Sequence, residues 1–507
     1  MQRKPFDVIT EPEFQHLAAQ GYHRIALSAE TLADLETPLS LYLKLAHGSP
    51  EGGRYSFLLE SVVGGERFGR YSFIGLPART VLRASGFGAA ARTEVLRDGV
   101  LVESASGNPL DFIAVYQQRF KVALPPGWPR FCGGLAGYFG YDAVRHIEPK
   151  LLHTCPPDPL GCPDILLLQC EELAVIDNLS GRLHLIVYAD PAQPDAYASA
   201  RQRLQELLAA LQRPVAAPSV QPSAAHPPER AFARADYLAA VARAKELIAA
   251  GDFMQVQVGQ RISQRYEQSP LSLYRALRSL NPSPYMYYYD FGEFQVVGAS
   301  PEILVRQERV PEGCKVTIRP LAGTRPRGAT PELDRAAELE LLADPKERAE
   351  HVMLIDLARN DIGRIAQIGS VKVSDAFVVE RYSHVMHIVS NVEGLLQEGL
   401  SNMDVLKATF PAGTLTGAPK VHAMELIDQL EPVKRGLYGG ACGYLSYAGD
   451  MDLAIAIRTG IVKDGQLHVQ AAAGVVADSV PELEWSETEH KARALLRAAE
   501  MVQAGLQ

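Results

Sequence analysis

No stretch of this 507-residue sequence approaches the roughly 18 consecutive apolar residues that a membrane-spanning helix needs. The opening segment, MQRKPFDVITEPEF, also lacks the apolar centre of a signal peptide. There is no Lys/Arg-rich run and the net charge is −9, so neither nucleic acid nor an anionic membrane is favoured as a partner. The six cysteines (Cys132, Cys155, Cys162, Cys170, Cys314 and Cys442) have no CxxC spacing, which fits reduced thiols better than a disulfide frame or a zinc site. No repeat of fixed period is visible, which argues against solenoids and propellers. These absences lead to the expectation of a cytoplasmic globular protein that meets small molecules and other proteins.

With 47% hydrophobic and 21% charged residues, the chain has the composition of a packed protein. Its length exceeds one ordinary core, so two domains, or one large domain with an appendage, are expected. The Pro/Ala/Ser-rich stretch RPVAAPSVQPSAAHPPERA, residues 213–231, reads as a linker between an N-terminal domain, 1–212, and a C-terminal one, 232–507. In the first part, strands are expected at 57–63 and 70–74 around a Gly-containing turn. A Gly/Tyr-rich connection is expected at 133–142, one buried strand at 164–175 and a helix at 195–211. Beyond the linker, a helix over 236–250 should stop at Gly251. Apolar runs follow at 254–262, 285–291, 294–305 and 315–318, and a strand within 377–392 that is apolar on both faces should be buried. The runs 440–447, 453–462 and 466–476, joined by AGD and KDG turns, read as one antiparallel meander. Antiparallel strands with flanking helices and no regular βα alternation indicate an α+β layered protein and argue against a Rossmann fold.

The segment DPKERAEHVMLIDLARND, 344–361, places Glu347, Glu350, Leu354, Leu357, Ala358 and Asp361 on one helical stripe, with Arg348, Ala349, Asp356 and Arg359 opposite. Acids that turn inward with apolar residues need a cation or donors. A second helix, ELEWSETEHKARALLRAAEMV, repeats the pattern with Glu484, Glu487 and Lys491. Two facing helices would thus offer four carboxylates, a donor set suited to Mg²⁺ and not to zinc. Taken singly, each pair also reads as a solvated face with ion pairs at three- and four-residue spacing. GTLTGAPK, 413–420, leads from a turn into a helix whose N-terminus attracts anions, or is simply a helix start; it lacks the GK[ST] of a P-loop. Arg458, in AIAIRTG, is a paired structural charge or a carboxylate clamp. His387 is a hydrogen-bonded core histidine or a proton carrier.

ASPEILV, RPLAGTRPRG, ADPKERAEHVMLIDLARND, VMHIVSNVEG, FPAGTLTGAPK, GLYGG, AIAIRTG, GVVADSVPE and the final ExxExxxK together resemble the chorismate-utilising enzymes, most of all the large subunits of anthranilate synthases. LLES, RYSFIG and GYFGYD resemble the first domain of the same subunits. The resemblance implies an α/β sandwich of two orthogonal antiparallel sheets, with the N-terminal domain woven against the chorismate-binding one. It implies Glu350 and Glu487 as Mg²⁺ ligands with Glu347 and Glu484 around them, and Lys491, Gly323 and Gly474 beside the substrate. Tyr438 and Arg458 would hold the enolpyruvyl carboxylate, and Glu302 would protonate the departing 4-hydroxyl. Ammonia would add at C2 to give 2-amino-2-deoxyisochorismate. His387, with Thr324 and Thr414 nearby, would assist loss of pyruvate and aromatisation to anthranilate, the first committed step of tryptophan biosynthesis. The family's AGAG reads AAAG here, with Ala472 in place of a glycine, and a methyl group there would hinder a close backbone approach.

Other chorismate chemistries (aminodeoxychorismate, isochorismate or salicylate synthesis) and a non-catalytic regulatory homologue are the rival readings. Related enzymes that add water carry a lysine where this chain has Gln255, and aminodeoxychorismate synthases carry one where it has Ala322, so ammonia addition is expected. No second module with a Cys nucleophile and His partner is visible. Glutamine use is therefore expected to need a separate amidotransferase subunit in a hetero-oligomer. Finally, LLES and NPSPYM resemble the two sides of the family's tryptophan pocket, which implies feedback inhibition through Glu60, Ser61, Arg70, Pro284, Tyr285 and Met286.

Overall fold

The structure, a computed structural model, describes residues 9–49, 52–62, 69–125, 127–224, 226–382 and 385–506. Two large sheets, antiparallel at nearly every pairing, dominate it and helices pack against them, as the α+β reading required. Each sheet is built by both parts of the chain. In the first, Tyr285–Asp290 pairs with Ser56–Glu60, with Met286 opposite Glu60. In the second, Ala441–Ser446 pairs with Gly134–Phe139. Both sheets are therefore shared by the two parts of the chain, and residues 213–224 are mostly exposed, with Ser223 N–H donating to the Gln503 carbonyl.

The main departures from the sequence reading are places where the chain leaves one sheet for the other. The run expected at 164–175 is two strands, Ile165–Cys170 and Glu172–Asp177, in different sheets. The run expected at 294–305 divides at Pro301 and Glu302 into Gln295–Ser300 of the first sheet and Ile303–Val310 of the second. The expected meander is two hairpins. Ala441–Ser446 with Met451–Ile455 belongs to the second sheet, and Thr459–Lys463 with Gln466–Val475 belongs to the first, with residues 456–458 crossing between them. The 133–142 stretch is likewise a fully buried strand, Gly134–Phe139, instead of a connection. Its glycines let neighbouring strands close in: a Cβ on Gly137, at φ +156°, would lie 2.1 Å from the Leu166 carbonyl oxygen. The expected strand at 57–63 is Ser56–Glu60, and Val63 lies outside the described residues.

The acid-bearing helices form as expected. Pro345–Gly363 starts with Asp344, whose carboxylate accepts the Lys346 and Glu347 N–H groups, and with a proline where no donor is needed. Its inward face buries Leu354, Ala358, Asp361 and Ile362, while Arg348, Asp356 and Arg359 are exposed. Pro481–Gln503 buries Ala492, Leu495, Ala498 and Val502 against the first sheet. The helix Arg234–Ala250 ends at Gly251, whose φ of +88° is the left-handed stop that the sequence called for. All six cysteines are unpaired. No helix among the described residues is long and apolar enough to cross a membrane.

Candidate active site

Two of the inter-sheet crossings, at 301–302 and at 456–458, reach the same region. A cavity of about 1230 Å³ is lined by Gln255, Gln257 and Gly474 of the first sheet, by Gly323, Thr324 and His387 of the second, and by Pro301 and Arg458 from the crossings. The helices close it with Glu347, Glu350, Glu484, Glu487 and Lys491. All four predicted metal ligands therefore face one space.

The acids repel one another. Burial raises the Glu350 carboxyl above its ordinary range, Glu347 and Glu487 raise it further, and the Gln255 side chain donates to it. Glu484 is raised by burial first and by Glu487 as well. Arg325 Nη1 lies 3.3 Å from Glu347, and Lys491 Nζ lies 2.7 Å from Glu487 and 2.8 Å from the Ala472 carbonyl. Among the described residues no three ligating side chains already converge as a metal cage. The donor chemistry nevertheless fits a hard divalent cation: the set is all carboxylate, crowded enough that its members disfavour each other's charge, and open to water.

Arg458 sits at the crossing with φ +50°, an uncommon conformation for a non-glycine residue, and so turns into the cavity between the sheets. None of the described ion pairs includes it. Burial lowers the guanidinium below its usual range, with Glu302 opposing that shift. It is thus a desolvated cation facing open space, the arrangement of a carboxylate clamp and not of a structural pair.

Glu302 occupies the other crossing, is 8% exposed, and is pushed up to about 8 by burial, so its carboxyl is protonated at neutral pH. Thr414 Oγ1 approaches its Oε1 at 3.4 Å. Both residues line a small chamber, and neither is among the residues lining the main cavity. His387, on Val385–Leu395, is 4% exposed and burial pushes it down to about 4. Its Nδ1 lies 2.9 Å from the Gly323 carbonyl, which can only accept, so Nδ1 carries the proton and Nε2 presents a lone pair. Thr324 Oγ1 lies 3.1 Å from the same nitrogen. Gly323 has φ +64°, and a Cβ there would meet Leu341 at 2.9 Å and Glu347 at 3.2 Å.

Two predicted substrate contacts lie elsewhere. Tyr438 is 7% exposed, does not line the main cavity, and sits beneath the Arg435 guanidinium at 5.6 Å. Ala472 is 1% exposed in a regular strand without positive φ, its methyl beside Gly259 and not lining the main cavity. The sequence reading missed Gln257, which stands so close to Gly474 that a Cβ would come within 2.9 Å of its amide. It also missed His351, fully buried one residue from Glu350, whose Nε2 is 2.7 Å from Ser390 Oγ on the strand of His387. His351 shares the inward stripe with Glu347 and Leu354, at four- and three-residue spacing.

A second cavity, about 340 Å³, gathers all six residues of the predicted inhibitor pocket: Glu60, Ser61, Arg70, Pro284, Tyr285 and Met286. It lies between the sheets, with Arg306 and Asp452 of the second sheet opposite. Both Glu60 oxygens are engaged, by Tyr274 and by Arg278 at 2.7 and 3.1 Å. Those partners stand four apart on the helix Pro270–Leu280, a spacing visible in the sequence. The segment after that helix touches both cavities: Leu280 to Ser283 line the first and Pro284 to Tyr287 the second.

Residues 78–497 match the family model described as chorismate binding enzyme. The chain is 58% identical over 502 residues to anthranilate synthase component 1 of Neisseria meningitidis serogroup A, covering 98% of this chain and 100% of that protein. It is 56% identical over 497 residues to anthranilate synthase component 1 of Pseudomonas putida, covering 97% and 98%. Among solved structures it is similar to anthranilate synthase component I from Streptococcus pneumoniae, with a TM-score of 0.74, 37% identity, and 86% and 94% of the two chains covered. The menaquinone-specific isochorismate synthase of Escherichia coli shares the fold, with a TM-score of 0.70 at 18% identity and 96% and 98% coverage.

Proposed function

The chain belongs to the chorismate-binding enzyme family and, within it, to the anthranilate synthase component 1 group; from that premise we propose that it converts chorismate and ammonia to anthranilate and pyruvate with Mg²⁺ bound. The observation that carries this reading is that Arg458, outside the ion pairs formed among the described residues, lines the same cavity as four carboxylates, a match for a dianion held at both ends. Glu350 and Glu487, with Glu347 and Glu484 around them, would hold Mg²⁺, which when bound neutralises the ring carboxylate.

Arg458 binds the enolpyruvyl carboxylate. Glu302, protonated at neutral pH, donates its proton to the 4-hydroxyl, which leaves as water while ammonia adds at C2 and gives 2-amino-2-deoxyisochorismate. Nε2 of His387 then takes the C2 proton as the C3–O bond breaks, releasing pyruvate and an aromatic ring. Gln255 supplies no amine to activate water or form an adduct, and its amide is occupied at Glu350. Ammonia would come from a separate glutamine amidotransferase subunit.

Tryptophan would occupy the second cavity. With both Glu60 oxygens taken by Tyr274 and Arg278, its amino group must compete for that carboxylate or meet Ser61. The segment 280–287 then gives the coupling a physical path, because a ligand that fixes its second half biases the first, and about 1–3 kcal/mol is typical of such coupling. The reading is tested by incubating pure chain with chorismate, Mg²⁺ and ammonium. Anthranilate and pyruvate in equal amounts are expected, with no anthranilate when glutamine alone replaces ammonium. Isochorismate or salicylate as the main product refutes it.

A further inference from the structure

Beyond the catalytic cavity, and independently of its chemistry, a cavity of about 20 Å³ is enclosed partly by Arg261, Arg435, Tyr438, His468 and Gln470, and none of its lining residues is acidic. Arg261 lies on Gln255–Arg265, opposite Gln470 in the register, and is 4% exposed. One terminal nitrogen donates to the Lys434 carbonyl; the other, Nη1, is buried without a hydrogen-bond partner among the described residues. The acids around it are already engaged. Lys434 holds Asp158 at 3.2 Å and Asp164 at 2.6 Å, Arg435 holds Glu431 at 2.6 Å, and Arg145 holds Asp142 at 2.9 Å. No described ion pair includes Arg261, and burial holds its guanidinium below the usual range. His468, facing the same space, is pushed down to about 4, by burial first and by Arg261 and Lys463 after it, with Asp464 opposing.

A buried, unpartnered cation is expensive, and its least costly remedy is an anion in contact with it. We propose that this cavity is a binding site for a single monoatomic anion of the chloride class, held by Arg261 Nη1. The volume admits one occupant about the size of a water molecule and excludes sulfate, phosphate and carboxylates. A water would satisfy the orphaned donor but would bring no charge of its own to a guanidinium that only more distant, already paired acids (Asp158, Asp142 and Glu431) oppose. Because Tyr438 and Arg435 also line the cavity, the ion would brace the segment 435–438 that closes it.

The test is melting temperature of the full chain at constant ionic strength as gluconate is exchanged for chloride or bromide, paired with anomalous diffraction from bromide-soaked crystals. A saturable rise with either halide, no saturable rise with sulfate, a bromide peak beside Arg261 and loss of the halide effect in Arg261→Met are expected. Equal melting in gluconate and halide, a water at the position with no anomalous signal, or a halide effect that persists in Arg261→Met overturns the proposal. Should Arg261→Met fail to fold, the diffraction experiment on the unaltered chain decides alone.

Discussion

Replacing Glu302 by glutamine should cripple turnover and, at the same time, stabilise the protein in alkaline solution. Glu302 is buried at the crossing between sheets, and its carboxyl is raised from the ordinary 4.5 to about 8. Such a group favours the fold below its unfolded value, near 4.5, and that stability is lost as pH rises through the folded value, near 8. The full difference corresponds to about 5 kcal/mol, of which roughly 3 kcal/mol is already lost at pH 7. Glutamine keeps the shape and cannot ionise, so Glu302→Gln should gain stability relative to the wild type between pH 5 and pH 8 and hold that gain at pH 9. The same proton is the one donated to the leaving hydroxyl, so turnover should fall roughly 10²- to 10⁴-fold. In the wild type, the acid-dependent step should weaken as pH passes about 8. Urea denaturation at pH 5 and pH 9, with single-turnover rates on the same samples, tests both halves. A stability difference that does not change with pH, or retained turnover, refutes the assignment of Glu302 as a buried, neutral acid.

Arg458→Met removes a charge-assisted clamp worth about 1.5–3 kcal/mol and should raise the chorismate KM roughly 10- to 100-fold, measured by initial rates; an unchanged KM would make Arg458 structural. Ala472→Gly should leave the chorismate KM within about twofold while costing about 1–2 kcal/mol in urea titrations, since the methyl packs in a strand core and does not line the cavity. A large fall in KM would show that the methyl obstructs the substrate after all. Ser61→Ala should relieve tryptophan inhibition without altering uninhibited turnover, and it is a cleaner variant than Met286→Ala because Met286 is 1% exposed and its truncation would cost about 2–5 kcal/mol of stability. Inhibition curves that superimpose on those of the wild type would remove Ser61 from the pocket.

The helices and the faces that carry their acids were legible because a helical stripe records burial residue by residue. Glu347, Glu350, Leu354, Ala358 and Asp361 appear on the inward stripe of Pro345–Gly363 as the spacing required. The inter-sheet crossings were not legible, because alternation along a strand reports which face is buried and not which sheet the strand joins. Residues 294–305 and 453–462 are mostly apolar, and each reads as one strand until pairing partners divide it. That is why the reach of Arg458 and the seclusion of Glu302 emerged only from the structure, although both residues had been picked out. Gly134–Phe139 was misread for a related reason: glycine usually signals a turn, but here it lets buried strands approach. The placements of Tyr438 and Thr414 outside the main cavity depend on loops whose course no local pattern encodes.

The central claim is that one cavity grips a dianion between Arg458 and a cation held by the acids of two helices. Calorimetric titration of chorismate into the pure chain without any nitrogen source, with and without Mg²⁺, for the wild type and for Arg458→Met, measures this directly. Mg²⁺ should strengthen chorismate binding in both proteins, and Arg458→Met should weaken it in both. Chorismate affinity that is indifferent to Mg²⁺ in the wild type would contradict that claim.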